Sequence, residues 1–156
     1  MIINPLMKEN HNLNLGLVVN MEDDRQVEPI KVILANNHAM VREGIRQFLE
    51  QAKDILIVGE AEDGEIALEL IKQLEPHVAV LDIQMAKLSS LQIIQEICTH
   101  HLPVGVLILT SFDDEETMSV ELKTTARGFV LKTASPNEII SAVRKVYAAY
   151  APNPMT

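Results

Sequence analysis

The sequence contains no tryptophan, and aromatic residues make up only 3% of its 156 residues, so we expect an aliphatic core. A single cysteine, Cys98, excludes an intramolecular disulfide and fits a reducing cytoplasm. Cys98 lies in an apolar helical pattern, which favours a small core residue over a nucleophile. No apolar run approaches the roughly 20 residues that a bilayer-crossing helix needs, and the start lacks the basic leader of a signal peptide. We therefore predict a cytoplasmic protein without membrane contact.

Basic residues are also scarce. The chain has 13 Lys and Arg against 22 Asp and Glu, which gives a formal net charge of −9. This charge disfavours binding of nucleic acid or anionic lipid by this chain alone, and solubility is its simplest explanation. A length of 156 residues suggests one domain, with room for a tail.

The pattern divides the chain into three segments. Residues 1–29 are rich in Asn and acidic residues without a sustained period, so we predict a mobile N-terminal extension or linker, although its strip LNLGLVV could instead add a strand or cover a surface. Residues 30–150 are regular and form the predicted domain. Residues 151–156 form a short C-terminal tail, which cannot hold a helix-turn-helix.

Strand and helix patterns alternate five times in the regular segment. The strands are short apolar runs: IKVILA, ILIVGEA, VAVLD, VGVLILT and GFVLK. Each is followed by a helical pattern, such as the first, in which Val41, Ile45 and Phe48 share a face; the fourth helix has only a thin apolar face. Strict alternation with continuous apolar strands predicts an α/β fold, with a parallel sheet covered by five helices on both faces.

Polar residues stand where the predicted strands end. Asn36 and Asn37 follow the first strand, Asp82 ends the third, Thr110 ends the fourth and Lys132 follows the fifth. In open α/β sheets, functional groups gather at the carboxyl ends of the strands, and a strand order of 2-1-3-4-5 would bring these together. The set suits phosphoryl transfer to a carboxylate, with a hydroxyl and an ammonium group to bind the phosphoryl oxygens.

A cation is the missing part of such a site. Mg²⁺ takes oxygen ligands, which usually include one or two carboxylates. These should lie beside Asp82, at the end of the first strand, where the sequence instead has the two amides Asn36 and Asn37.

The segments NHAMVREGIRQFL, VGEAEDGEIALELI, AVLDIQM, LILTSFDDEE and ARGFVLKTASPNEIISAVRKV resemble the receiver domain of two-component response regulators. The similarity is greatest to the NarL/FixJ subfamily. It implies a flavodoxin-like (CheY-like) doubly wound sheet of five parallel strands in the order 2-1-3-4-5. It also implies a role in phosphorelay signalling rather than an enzyme, with a sensor histidine kinase or another signalling protein as partner.

The resemblance also implies roles for single residues. Asp82 matches the phospho-acceptor, Lys132 matches the family's lysine, and Thr110 and Phe129 match the switch residues. Phe129 has an equally plain interpretation as a core residue.

The metal site is where this chain departs from the family. The matching ligands are Asn36, Asn37, Asp82 and the backbone carbonyl of Gln84, and the family places two acidic residues where the amides stand. We therefore expect weak or lost Mg²⁺ binding, with the two amides serving mainly as turn formers and caps of the first helix. Ala86 and Ser90 stand where the family usually has proline and glycine.

Three functional interpretations remain open. The first is a phosphorylation-impaired receiver that works through protein contacts. The alternative is a conventional phosphorylated receiver of a transcriptional regulator, whose DNA-binding domain is absent from this chain. A flavodoxin-like enzyme or cofactor binder has the least support, because no nucleotide or flavin loop is visible. The apolar end of the last helix, residues 146–150, further suggests a homodimer.

Overall fold

A computed structural model describes residues 2–3, 28–111 and 118–150 of the chain. The strands of the main sheet are β1 (Ile30–Ala35), β2 (Ile55–Ala61), β3 (Val78–Asp82), β4 (Gly105–Thr110) and β5 (Gly128–Leu131). The helices are α1 (Ala39–Glu50), α2 (Gly64–Leu74), α3 (Ser90–Thr99), α4 (Val120–Thr125) and α5 (Pro136–Tyr150). Every predicted strand and helix has a counterpart, although the fourth helix begins only at Val120 and residues 112–117 lie outside the described residues.

The five strands are parallel and run in the order β2-β1-β3-β4-β5, which confirms the predicted topology. A two-residue strand, Ile2–Ile3, adds to the free side of β2, antiparallel to Gly59 and Glu60. The pattern did not predict it, because two residues are too few to show a period. The strip LNLGLVV lies outside the described residues.

Helices cover both faces of the sheet. Alternate strand residues point to opposite sides, so Ile33 and Ala35 belong to one core cluster while Val32 and Leu34 belong to the other. The first cluster is completed by α2, α3 and α4, and the second by α1 and α5. The result is the doubly wound arrangement that the alternation predicted. None of the helices among the described residues combines the length and the apolar character of a membrane-spanning segment.

Two helices are rotated relative to their predicted faces. On α1 the buried residues are Ile45 and Leu49, and Val41 is exposed. On α3 the buried stripe contains Ile97, which leaves Cys98 exposed, so its prediction as a core residue is wrong. The reason is geometric: each step along a helix turns the side chain by about 100°, so a neighbour of a buried residue can face solvent.

The apolar end of α5 is largely used within the domain. Val146 is buried, and Tyr147 packs edge-to-face on His77 with the ring centroids 5.1 Å apart. Only Ala148 and Ala149 of the described side chains in this stretch are exposed. The homodimer remains a prediction, but this surface supports it less than the sequence suggested.

Candidate functional site

The carboxylate of Asp82 lies at the carboxyl end of β3 and is fully buried, with 0% of its surface exposed. Its Oδ1 accepts a hydrogen bond from the main-chain N–H of Gln84 at 2.9 Å. Its Oδ2 accepts from Asn36 Nδ2 at 2.9 Å and lies 2.9 Å from Lys132 Nζ. Both oxygens of the predicted phospho-acceptor are therefore engaged within the domain.

Strand pairing carries Lys132 to this position. Lys132 directly follows β5, and its main-chain N–H donates to the carbonyl of Thr110 at 2.8 Å, which continues the pairing of β4 with β5 by one residue. Its side chain then reaches Asp82 and is 26% exposed. The sheet thus brings together two of the strand-end residues that the sequence predicted as a site.

Asn36 is the third member of the network and is also fully buried. Its Oδ1 accepts from the main-chain N–H of His38 at 2.6 Å, an Asx-type turn that leads into α1. Because only an oxygen can accept from that N–H, the amide is oriented with Nδ2 toward Asp82. The predicted turn-forming role of Asn36 is confirmed, whereas Asn37 is exposed and lies outside the network. The N-cap residue of α1 is His38, which makes no side-chain cap bond, so the capping role is wrong.

The two predicted switch residues occupy different places: Thr110 ends the strand next to Asp82, and Phe129 packs in the core. Thr110 is 1% exposed, and its hydroxyl donates to the carbonyl of Ser111 at 3.2 Å. Phe129 is half-buried and packs against the core cluster of α2, α3 and α4. The register pairs Asp82 with Leu109, so Thr110 stands one residue past the carboxylate on the neighbouring strand.

Ser90 also belongs to the site, a role that the sequence analysis did not predict. It is 1% exposed, and its hydroxyl donates to the main-chain carbonyl of Asp82 at 2.7 Å. This bond ties the first residue of α3 to the end of β3. The sequence feature that could have indicated this role is the serine at a position where the family usually has glycine.

The loop between β3 and α3 is held against the start of α2. Gly64 N–H donates to the carbonyl of Ala86 at 3.1 Å, and Lys87 Nζ lies 3.5 Å from Oδ2 of Asp63, the N-cap residue of α2. A Cβ atom at Gly64 would lie 1.8 Å from the carbonyl oxygen of Leu88, so only glycine allows this approach. The main-chain N–H of Ile66, assisted by the Lys87 charge, holds the pKa of Asp63 below its ordinary value. Asp63 caps α2, because its side chain accepts from the main-chain N–H of Ile66.

The donor set of the site is dominated by nitrogen. Within the described residues, no group of three or more His, Cys, Asp or Glu side chains could hold a metal ion. The groups in contact with the Asp82 carboxylate are one ammonium, one side-chain amide and one main-chain N–H. These groups balance one negative charge.

Residues 32–144 match the family model described as the response regulator receiver domain. This chain belongs to that family. The receiver domain is 36% identical over 118 residues to the "Probable transcriptional regulatory protein NarL" of Mycobacterium tuberculosis, an alignment covering 76% of this chain and 55% of the relative. It is 31% identical over 126 residues to the "Transcriptional regulatory protein DegU" of Brevibacillus brevis, covering 81% and 53%.

Solved structures agree with this assignment. The NarL signal receiver domain from Mycobacterium tuberculosis superposes with a TM-score of 0.73 at 34% identity, covering 78% of this chain and 98% of that one. A DNA-binding response regulator of the LuxR family from Staphylococcus aureus gives a TM-score of 0.70 at 28% identity, covering 76% and 98%. The chain spans about half the length of the curated relatives it matches. Receiver domains act in signalling through histidine kinases and other signalling proteins, and they generally bind Mg²⁺ in an acidic pocket.

Proposed function

We propose that this receiver domain is impaired in Mg²⁺-dependent phosphorylation and signals through protein contacts. The observation that carries the proposal is the closed network around Asp82. The carboxylate is fully buried, and both of its oxygens already accept from nitrogen donors of the domain. A nucleophilic oxygen in this state must lose a partner before it can attack a phosphoryl group.

The charges around Asp82 also support the proposal. The family pattern places two further carboxylates beside the phospho-acceptor, and the repulsion within such a cluster favours binding of a divalent cation. Here Asp82 is the one carboxylate of that set, and the ammonium of Lys132 balances it at 2.9 Å. A divalent ion loses much of its hydration on binding and needs charged oxygen ligands to offset this, which one carboxylate already paired with an ammonium does not provide.

The amide geometry points in the same direction. Asn36 Oδ1 is the one side-chain oxygen of that residue able to ligate a metal, and it accepts from the His38 N–H at 2.6 Å. Turning it toward a metal would break that bond and the bond from Nδ2 to Asp82. The Asn36 amide nitrogen would then be buried without a partner, at a cost of about 1–3 kcal/mol.

The conventional receiver remains the second candidate, because Asp82, Thr110 and Lys132 are all retained at the strand ends. In either case we propose a histidine kinase or another signalling protein as partner, a homodimer, and a cytoplasmic location. A DNA-binding output in the whole protein is a further proposal, and its support is that matched relatives are named transcriptional regulatory proteins.

The test is intact-mass analysis after treatment with a small-molecule phosphodonor, with and without Mg²⁺. We expect little phosphorylated protein in either condition and no stimulation by the metal. The variant Asp82→Asn, which lacks the acceptor, sets the background. Rapid phosphorylation that depends on Mg²⁺ and is lost in Asp82→Asn would overturn the proposal in favour of the conventional receiver.

The double variant Asn36→Asp/Asn37→Asp tests the cause of the impairment. It introduces two carboxylates at the end of β1, one in the buried network with Asp82 and one at the exposed position 37, so we expect measurable Mg²⁺ binding by calorimetry and increased phosphorylation. The single variant Asn37→Asp is the matched control, because it adds a charge at an exposed position and leaves the Asn36 network intact. It should gain less than the double variant. Equal gains would show that net charge, rather than the network, limits the site.

A further inference from the structure

Arg42 is a mostly buried charged residue next to the candidate site, and neither the strand-end pattern nor the family match assigns it a role. It lies on α1, and its side chain is 13% exposed. Its Nη1 donates to the main-chain carbonyl of Asn36 at 2.6 Å, and its Nε donates to Glu60 Oε1 on β2 at 3.3 Å. The guanidinium thus joins the turn that carries Asn36 to the neighbouring strand.

Glu60 supplies the negative charge that a buried guanidinium requires. Its side chain is 12% exposed, and its second oxygen lies 3.3 Å from Nε of Arg46, one helical turn further along α1. Two arginines of one helix therefore hold the same carboxylate. This arrangement fixes α1 against β2. Arg42 uses Nε for Glu60, and its Nη1 donates to the Asn36 carbonyl.

Asn36 is held at every one of its polar atoms. Its main-chain N–H donates to the Ala61 carbonyl at 3.1 Å, and its main-chain carbonyl accepts from Arg42. Its side-chain Oδ1 accepts from the His38 N–H, and Nδ2 donates to Asp82. Arg42 is the one charged group among these contacts apart from Asp82 itself, and hydrogen bonds from a charged donor are about twice as strong as neutral ones.

We propose that Arg42 is a positioning residue that acts through Asn36 to keep the amide aimed at Asp82, so that the Asp82–Lys132 pair stays closed without a metal. The inference rests on the proposed function, because it assumes that the closed pair is the working state of the domain. Lysine cannot replace the arginine, because a single ammonium cannot span the Asn36 carbonyl and Glu60 with the geometry of a planar fork.

The test uses nuclear magnetic resonance of the full chain without Mg²⁺ or phosphodonor. In the unmodified protein, the Nδ2 protons of Asn36 should exchange with water at least about tenfold more slowly than those of the exposed Asn37 and Asn137. Arg42→Gln should speed this exchange about tenfold and shift the Cγ resonance of Asp82. Arg42→Lys should behave like Arg42→Gln, and Glu60→Gln should give a smaller change in the same direction.

Arg144→Gln is the matched control. It removes an arginine–carboxylate pair of similar type, with Asp54, that lies on the surface away from Asn36. It should leave the exchange of the Asn36 Nδ2 protons and the Cγ resonance of Asp82 unchanged. If Arg42→Gln lowers stability but leaves the Asn36 and Asp82 signals as they are, Arg42 only packs α1 and the inference is wrong.

The unmodified protein alone can also overturn the inference, so that the test does not depend on a variant that folds. This would happen if its Asn36 Nδ2 protons exchanged with water as fast as those of Asn37. None of these measurements involves phosphorylation. The positioning role of Arg42 and the impaired phosphorylation can therefore be disproved independently of each other.

Discussion

Two carboxylate–cation pairs in this domain have the same nitrogen–oxygen distance and opposite surroundings. Asp82 and Lys132 are 2.9 Å apart with side chains 0% and 26% exposed, whereas Asp54 and Arg144 are 2.9 Å apart with side chains 49% and 52% exposed. Water screens the second pair and solvates either partner alone, while the first carboxylate depends on its protein partners. Equal distance therefore does not mean equal importance, and burial decides which pair is part of a site.

The largest expected effect comes from breaking the buried pair. Lys132→Met leaves the Asp82 carboxylate buried without its cation, and we expect a loss of about 3 kcal/mol in the free energy of unfolding, measured in urea at pH 7. Arg144→Gln should show no measurable change, although the Arg144 guanidinium lowers the pKa of Asp54.

The double variant Asp82→Asn/Lys132→Met removes both charges and should recover much of the stability lost in Lys132→Met. A Lys132→Met variant as stable as Arg144→Gln would contradict the distinction between the two pairs.

The same comparison can be made with two hydroxyl–carbonyl bonds. The Ser90 hydroxyl donates to the Asp82 carbonyl in the interior, and the Thr124 hydroxyl donates to the Glu121 carbonyl on the surface at 3.0 Å. Ser90→Ala should cost about 1 kcal/mol by urea unfolding, because a buried acceptor loses a partner. Thr124→Val should stay within about 0.5 kcal/mol of the unmodified protein. Similar costs for both would mean that the loop beside Asp82 gains nothing from Ser90.

The smallest expected effect is a pH dependence at the opposite end of the sheet. His77 Nδ1 accepts from the Lys31 main-chain N–H at 2.9 Å. Burial, with help from the Lys31 charge and against the Glu28 charge, lowers the pKa of His77 below 6.5. The unfolded chain then takes up a proton more readily than the folded one, so stability is complete above about pH 6.5 and declines below it.

His77→Asn keeps an acceptor for Lys31 but does not titrate, so urea midpoints should fall less between pH 7 and pH 5 than in the unmodified protein. If the urea midpoint of His77→Asn falls with pH as much as that of the unmodified protein, the acid sensitivity comes from other groups. One such group is Asp63, whose pKa is lowered and which therefore titrates at more acidic pH.

The sequence predicted the sheet and the meeting of Asp82 with Lys132 for one physical reason. Parallel strands end at a common edge, so residues that follow different strands become neighbours once the order is known. The same argument placed Thr110 on the adjacent strand, but it could not show that the hydroxyl bonds to Ser111, because that depends on a side-chain torsion.

The contacts of Ser90 and Arg42 could not be predicted for a related reason. Each depends on how a helix is rotated and placed over the sheet, and one residue of rotation moves a side chain by about 100°. The exposed Cys98 shows the same limit. The two amides could be recognised as unusual, but the bonds that fix Asn36 come from a main-chain turn and from a helix that follows it.

The contact between Gly64 and Leu88 has a mechanical consequence. With 1.8 Å between a hypothetical Cβ and the Leu88 carbonyl oxygen, no free space separates the loop after Asp82 from the first turn of α2. If that loop moves toward α2, the helix has to move with it, because there is no gap between them. A protein bound at the start of α2 would in this way resist displacement of the loop, even though it touches none of the residues around Asp82.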